Sequence, residues 1–135
     1  MIALLNSVPN GVQAWSQDIE GLVQTSLNLG IAKLGERFTA TFSVRSSVNT
    51  EKLELLEQLK KLCAFYEGVY TEKGDYPAWE YKKDSELRDT MVKVYTEMYG
   101  KAPEVLAIHA GLECGLLGEK ISGLDCVSVG PPMHD

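Results

Sequence analysis

The alternation of side chains over residues 38–44 constrains this chain more than any other feature. Phe38, Ala40, Phe42 and Val44 take even positions, and Thr39, Thr41 and Ser43 take odd ones. Such a period of two marks a strand with one buried face. Over residues 22–34, Val23, Leu27, Leu29 and Ile31 share one parity, while Gln24, Ser26 and Asn28 take the other. Gly35-Glu36 separates the two runs, and a glycine first in a two-residue turn suits a type II′ hairpin. The two runs predict part of an antiparallel sheet with one covered face.

Helical spacing follows. Asn49 or Thr50 is placed to cap a helix whose first turn holds Glu51, and Leu53, Leu56, Leu59, Leu62, Cys63 and Tyr66 recur along it. Gly68 supplies its stop. A third short strand is expected over residues 68–72, and residues 73–82, with Pro77, read as a loop. Asp84 or Ser85 caps a second helix with a stripe of Leu87, Met91, Val94, Tyr95 and Met98, assigned to the core. Gly100 ends that helix and Pro103 prevents its continuation. Short strands are expected over residues 105–108 and 126–129, with a brief helical turn over 112–117. The order is ββαβ up to about Lys82 and αβ(α)β from about Lys83. This is an α+β fold: an antiparallel sheet with helices on one face, then a piece of a larger parallel α/β sheet.

Composition narrows the function classes. A chain of 135 residues that is 44% apolar can build one modest core. Its net charge of −6 disfavours binding to phosphate backbones. No apolar run approaches the roughly 20 residues of a membrane span, and residues 1–12 do not read as a secretory signal. Cys63, Cys114 and Cys126 stand at unrelated spacings, which argues for core thiols in a reducing cytoplasm rather than disulfides or a Cys-rich metal site.

Several runs occur in a telling order. They are Leu4-Leu5-Asn6 with Pro9-Asn10-Gly11-Val12, then Gly21-Leu22-Val23-Gln24-Thr25-Ser26-Leu27-Asn28-Leu29-Gly30, then Val44-Arg45-Ser46. Lys73-Gly74-Asp75-Tyr76-Pro77-Ala78-Trp79 follows, then Ile108-His109-Ala110-Gly111-Leu112-Glu113-Cys114-Gly115-Leu116 and Asp125-Cys126-Val127-Ser128-Val129-Gly130-Pro131. Across nearly the whole chain this set resembles the aminoacyl-histidine dipeptidases, two-zinc metallopeptidases related to carnosinases. The resemblance implies a catalytic domain interrupted by an inserted lid. Residues 1–82 would be the last part of that lid, and residues 83–135 the return into the catalytic domain, ending before the last zinc-ligand histidine. Two zinc ions are implied for the full-length enzyme, none of them bound by this chain. The family's His-Ser-Pro-Asp-Glu run has no match at His134, so no ligand role passes to it. The fragment alone is therefore expected to be inactive. The implied partners are a dipeptide substrate, the rest of the catalytic domain and further copies of the chain, with neither nucleic acid nor membrane.

Three residues become substrate-binding candidates through this resemblance. Arg45 lies on the parity opposite the apolar residues and by itself reads as a solvated arginine. The resemblance makes it the lid residue that grips the dipeptide's terminal carboxylate, for which a guanidinium fork is well shaped. Gly111 reads as a turn glycine, and the resemblance adds a backbone that approaches the substrate. Glu113 reads either as a helix-start carboxylate or as a residue at the substrate's amine end. His109 reads as a structural histidine. The rival reading is a non-catalytic α+β module that binds a small ligand or oligomerises through a sheet edge.

Overall fold

The computed structural model describes residues 2–107 and 113–130. The elements run α1 (Ile2–Ser7), β1 (Gly11–Trp15), β2 (Val23–Leu34), β3 (Phe38–Ser46), α2 (Asn49–Phe65), α3 (Glu86–Tyr99) and α4 (Glu113–Lys120). The three strands form one antiparallel sheet in the order β1-β2-β3. Mixed α and β elements with an antiparallel sheet are what the sequence patterns predict.

Along β3, half-buried and exposed residues alternate without a break from Phe38 to Ser46. On β2 the alternation is broken, because Leu29 pairs with Phe42 but Ile31 pairs with Thr41. Gly30 is the extra residue of this bulge, a common role for a glycine inside a strand. The bulge turns Ile31 away from Leu27 and Leu29, onto the polar face that Thr41 shares, and Ile31 is 50% exposed. It also corrects the expected turn. Leu34 pairs with Phe38 across three residues, and the Gly35 N–H donates to the Arg37 carbonyl at 3.3 Å. Gly35 does not adopt the left-handed φ that a type II′ turn needs.

The helix α2 packs on β3. Leu27, Leu55 and Leu59 form the buried core, with Val8, Phe42, Val44 and Tyr70 against it. Leu55 and Leu59 lie on one face at i,i+4 spacing. Leu53, expected in that stripe, is two residues off this face and 60% exposed. Burial, with Glu72 beside it, pushes the Tyr70 hydroxyl up to about 12. The end of α2 is a Schellman motif. The Gly68 N–H donates to the Cys63 carbonyl at 2.8 Å and the Glu67 N–H to that of Ala64 at 3.0 Å. Glu67, not Gly68, takes the left-handed conformation, at φ 55°. Gly68 is needed for space, since a Cβ there would lie 2.7 Å from Cys63 Sγ.

Other expectations give way. Residues 68–72 form no strand, and neither residues 105–107 nor 126–129 join a ladder. The unanticipated third strand is β1, a five-residue run whose register with β2 shifts on both sides of Ala14, which hides the alternation. On α3 no residue is buried, which corrects the assignment of its apolar stripe to the core. Met91, Val94, Tyr95 and Met98 instead line an open cleft of about 1100 Å³, with Val105 and Val127 across it. The extended segments that face α3 have no strand neighbours among the described residues and do not close over it.

Candidate functional site

Arg45 is the next-to-last residue of β3, exposed and paired with Ser26 of β2. The strand end is held firmly. Thr25 Oγ1 and Ser46 Oγ lie 2.7 Å apart, and Ser46 Oγ bonds the backbone of Val48 on both its N–H (3.0 Å) and its carbonyl (2.9 Å). Glu51, in the first turn of α2, accepts from the Thr25 hydroxyl and from Gln24 Nε2. Among the described residues Arg45 takes part in no ion pair or hydrogen bond through its guanidinium. It lines a small pocket of about 40 Å³ with Val44, Ser46, Lys52, Asp75 and Tyr76.

The loop over residues 74–82 is tied to the start of α2. Lys52 Nζ donates to Asp75 Oδ1 at 2.8 Å and to the Tyr76 carbonyl at 2.7 Å. Asn49 does not cap its own helix, whose N-cap is Val48 without a side-chain bond. Its Oδ1 accepts from the Ala78 N–H at 3.0 Å, and its N–H donates to Glu80 at 3.2 Å. Glu80 thereby brings a carboxylate to the positive end of the helix from another part of the chain.

The other side of this loop carries α4. Gly115, the buried residue of that helix, sits so close that a Cβ would lie 2.8 Å from the Pro77 carbonyl oxygen. The same loop thus touches the start of α2, which follows the strand end that bears Arg45, and the helix that begins at Glu113. Glu113 is exposed and lies in the first turn of α4. No hydrogen bond or ion pair among the described residues joins it to Arg45. Gly111, His109 and His134 lie outside the described residues.

The sequence reading missed Lys52 and Asp75 as a pair. A signal existed: Lys52 stands in the first turn of a helix, where the dipole disfavours a cation, so it needs a carboxylate partner. The three cysteines are free and half-buried. Burial and the neighbouring Cys126 push the Cys114 thiol up, which disfavours a nucleophilic thiolate. Among the described residues, no three His, Cys, Asp or Glu side chains are grouped to hold a metal. No helix among them is long and apolar enough to cross a membrane.

Two known proteins are similar to this chain over most of its length. The chain is 36% identical to the cytosol non-specific dipeptidase of Escherichia coli (strain K12), over 96% of this chain and 27% of that protein. Its fold superposes on the crystal structure of aminoacylhistidine dipeptidase from Vibrio alginolyticus with a TM-score of 0.81. That match has 36% identity and covers 87% of this chain and 24% of the other. No family model matches the sequence. Over nearly its whole length the chain is thus similar to a segment of these dipeptidases. It spans about a quarter of the length of these relatives.

Proposed function

We propose that this chain is the substrate-positioning part of a zinc-dependent dipeptidase acting on aminoacyl-histidine dipeptides in the cytosol. The observation that carries the reading is the 36% identity to a cytosol dipeptidase over 96% of the chain. Residues 1–82 are the closing part of the lid and residues 83–135 the return into the catalytic domain. Partners in the complete enzyme are the dipeptide, the rest of the catalytic domain and further copies of the chain.

Arg45 does the chemical work assigned here. Its guanidinium donates two charge-assisted hydrogen bonds to the carboxylate and so fixes the tail of the dipeptide. Lid closure brings it onto the substrate and excludes water, so the scissile bond is presented in one orientation. The Gly111 turn backbone approaches the substrate, and Glu113 stands at its amine end. No step given to this chain runs through a metal, and by itself it is expected not to hydrolyse peptides.

The test is Arg45→Ala in the intact enzyme. KM for a dipeptide should rise by about tenfold or more, the loss of a charge-assisted pair, while zinc content stays at the wild-type value. Unchanged KM would remove Arg45 from the site.

A further inference from the structure

Lys52 occupies an unfavourable place for a cation. It stands in the first turn of α2, at the positive end of the dipole, and its side chain is only 12% exposed. A lysine at a domain surface ordinarily runs its ammonium out to water. Here Nζ is turned inward onto Asp75 and the Tyr76 carbonyl. Asp75 is 69% exposed, so the carboxylate gains little shelter from the pair and it is the lysine that is committed.

Both residues line the same small pocket as Arg45. Its walls therefore bring together two cations and one carboxylate. The pocket is about 40 Å³, with space for little more than a single water, whose share of liquid volume is about 30 Å³. A substrate carboxylate reaching Arg45 meets a pocket whose wall also carries Asp75, a second anion that repels it and can compete for the guanidinium.

We infer that Lys52 is a positioning residue: it sequesters Asp75, and so keeps the Arg45 guanidinium open to a substrate carboxylate. The inference rests on the proposed role of Arg45. It makes the Lys52–Asp75 pair a device for ligand selection rather than a surface salt bridge, which as such would contribute little. Remove the lysine, and Arg45 is the one cation left to Asp75 among the residues that line this pocket. Remove the carboxylate as well, and the competition ends.

The experiment is a double-variant cycle in the intact enzyme, assayed with a dipeptide and with its C-terminal amide. Lys52→Met should raise KM for the dipeptide about tenfold with kcat within about twofold, as expected for lost ground-state binding. The amide, which has no carboxylate to offer Arg45, should respond less than about twofold. Asp75→Asn alone removes the competitor itself and should leave KM for the dipeptide equal or lower. Lys52→Met with Asp75→Asn should restore most of the lost affinity, a recovery that mere loosening of the loop cannot give. An unchanged KM in Lys52→Met overturns the inference. So does a double variant worse than Lys52→Met, a tenfold rise in Asp75→Asn, or equal losses on dipeptide and amide. Arg45→Ala in the same series separates the layers. If it raises KM and Lys52→Met does not, only the sequestration fails. If it leaves KM unchanged, the carboxylate grip fails, and the sequestration with it.

Discussion

Ser85 and Asp125 are forty residues apart in sequence, yet Ser85 Oγ lies 2.8 and 3.0 Å from the two carboxylate oxygens of Asp125. Together they cap α3. Ser85 accepts from the Arg88 N–H at 3.1 Å, and Asp125 accepts from the Leu87 N–H at 3.1 Å. The Leu87 N–H and the Ser85 hydroxyl hold the Asp125 carboxyl below its usual value, with Lys82 and Arg88 adding to the effect. A serine at an N-cap is readable from sequence; its distant carboxylate partner is not.

This double cap predicts an acid-sensitive contribution to stability. The folded state lowers the carboxyl's pKa, so the contribution is fully present above the unfolded value of about 3.9 and fades as pH falls through the lower folded value. Asp125→Asn should lower Tm at pH 7, and the gap to wild type should shrink at pH 3. Thermal unfolding of both proteins at the two pH values checks this, and a gap independent of pH would contradict it. Ser85→Ala should cost about 1 kcal/mol, a usual N-cap loss.

Two glycines on α4 should behave in opposite ways. At Gly115 a Cβ meets the Pro77 carbonyl oxygen at 2.8 Å and the Ala78 backbone at 3.5 Å, and backbone atoms cannot step aside cheaply. Gly115→Ala should cost about 1–3 kcal/mol and loosen α4 from the loop. Gly118 has nothing within 4 Å, so Gly118→Ala should stabilise by up to about 1 kcal/mol through helix propensity. Denaturant unfolding of the two variants gives the sign of each.

Leucines with the same composition signal differ likewise. Leu27 is fully buried between the sheet and α2, and Leu27→Ala should cost about 2–5 kcal/mol. Leu53 is 60% exposed, and Leu53→Ala should stay within about 0.5 kcal/mol. Similar losses at both positions would mean that the core face of α2 is wrongly placed.

What the sequence makes legible is local. The alternation from Phe38 to Val44 holds residue by residue, and the loop at residues 73–82 and the left-handed Gly100 after α3 stand where turn and cap chemistry puts them. Where local patterns mislead, a longer-range contact or an inserted residue decides. The bulge at Gly30 shifts a strand by one residue, so the parity of Ile31 gives the wrong face. Asn49 looks like a cap, but the loop at Ala78 and Glu80 claims both its side chain and its N–H. The α3 stripe is apolar and periodic, yet an apolar face needs neighbours to become a core, and here it borders an open cleft. At the candidate site, the exposed face of Arg45 could be read from parity. The pairing of Lys52 with a residue 23 positions later could not.

The claim that this chain supplies the grip on the substrate tail is tested most directly by a crystal structure of the intact enzyme with a dipeptide analogue bound. Both terminal carboxylate oxygens should lie about 2.7–2.9 Å from the Arg45 guanidinium nitrogens, with Lys52 still on Asp75. A carboxylate held by other residues, with Arg45 turned into solvent or paired to Asp75, would contradict the account.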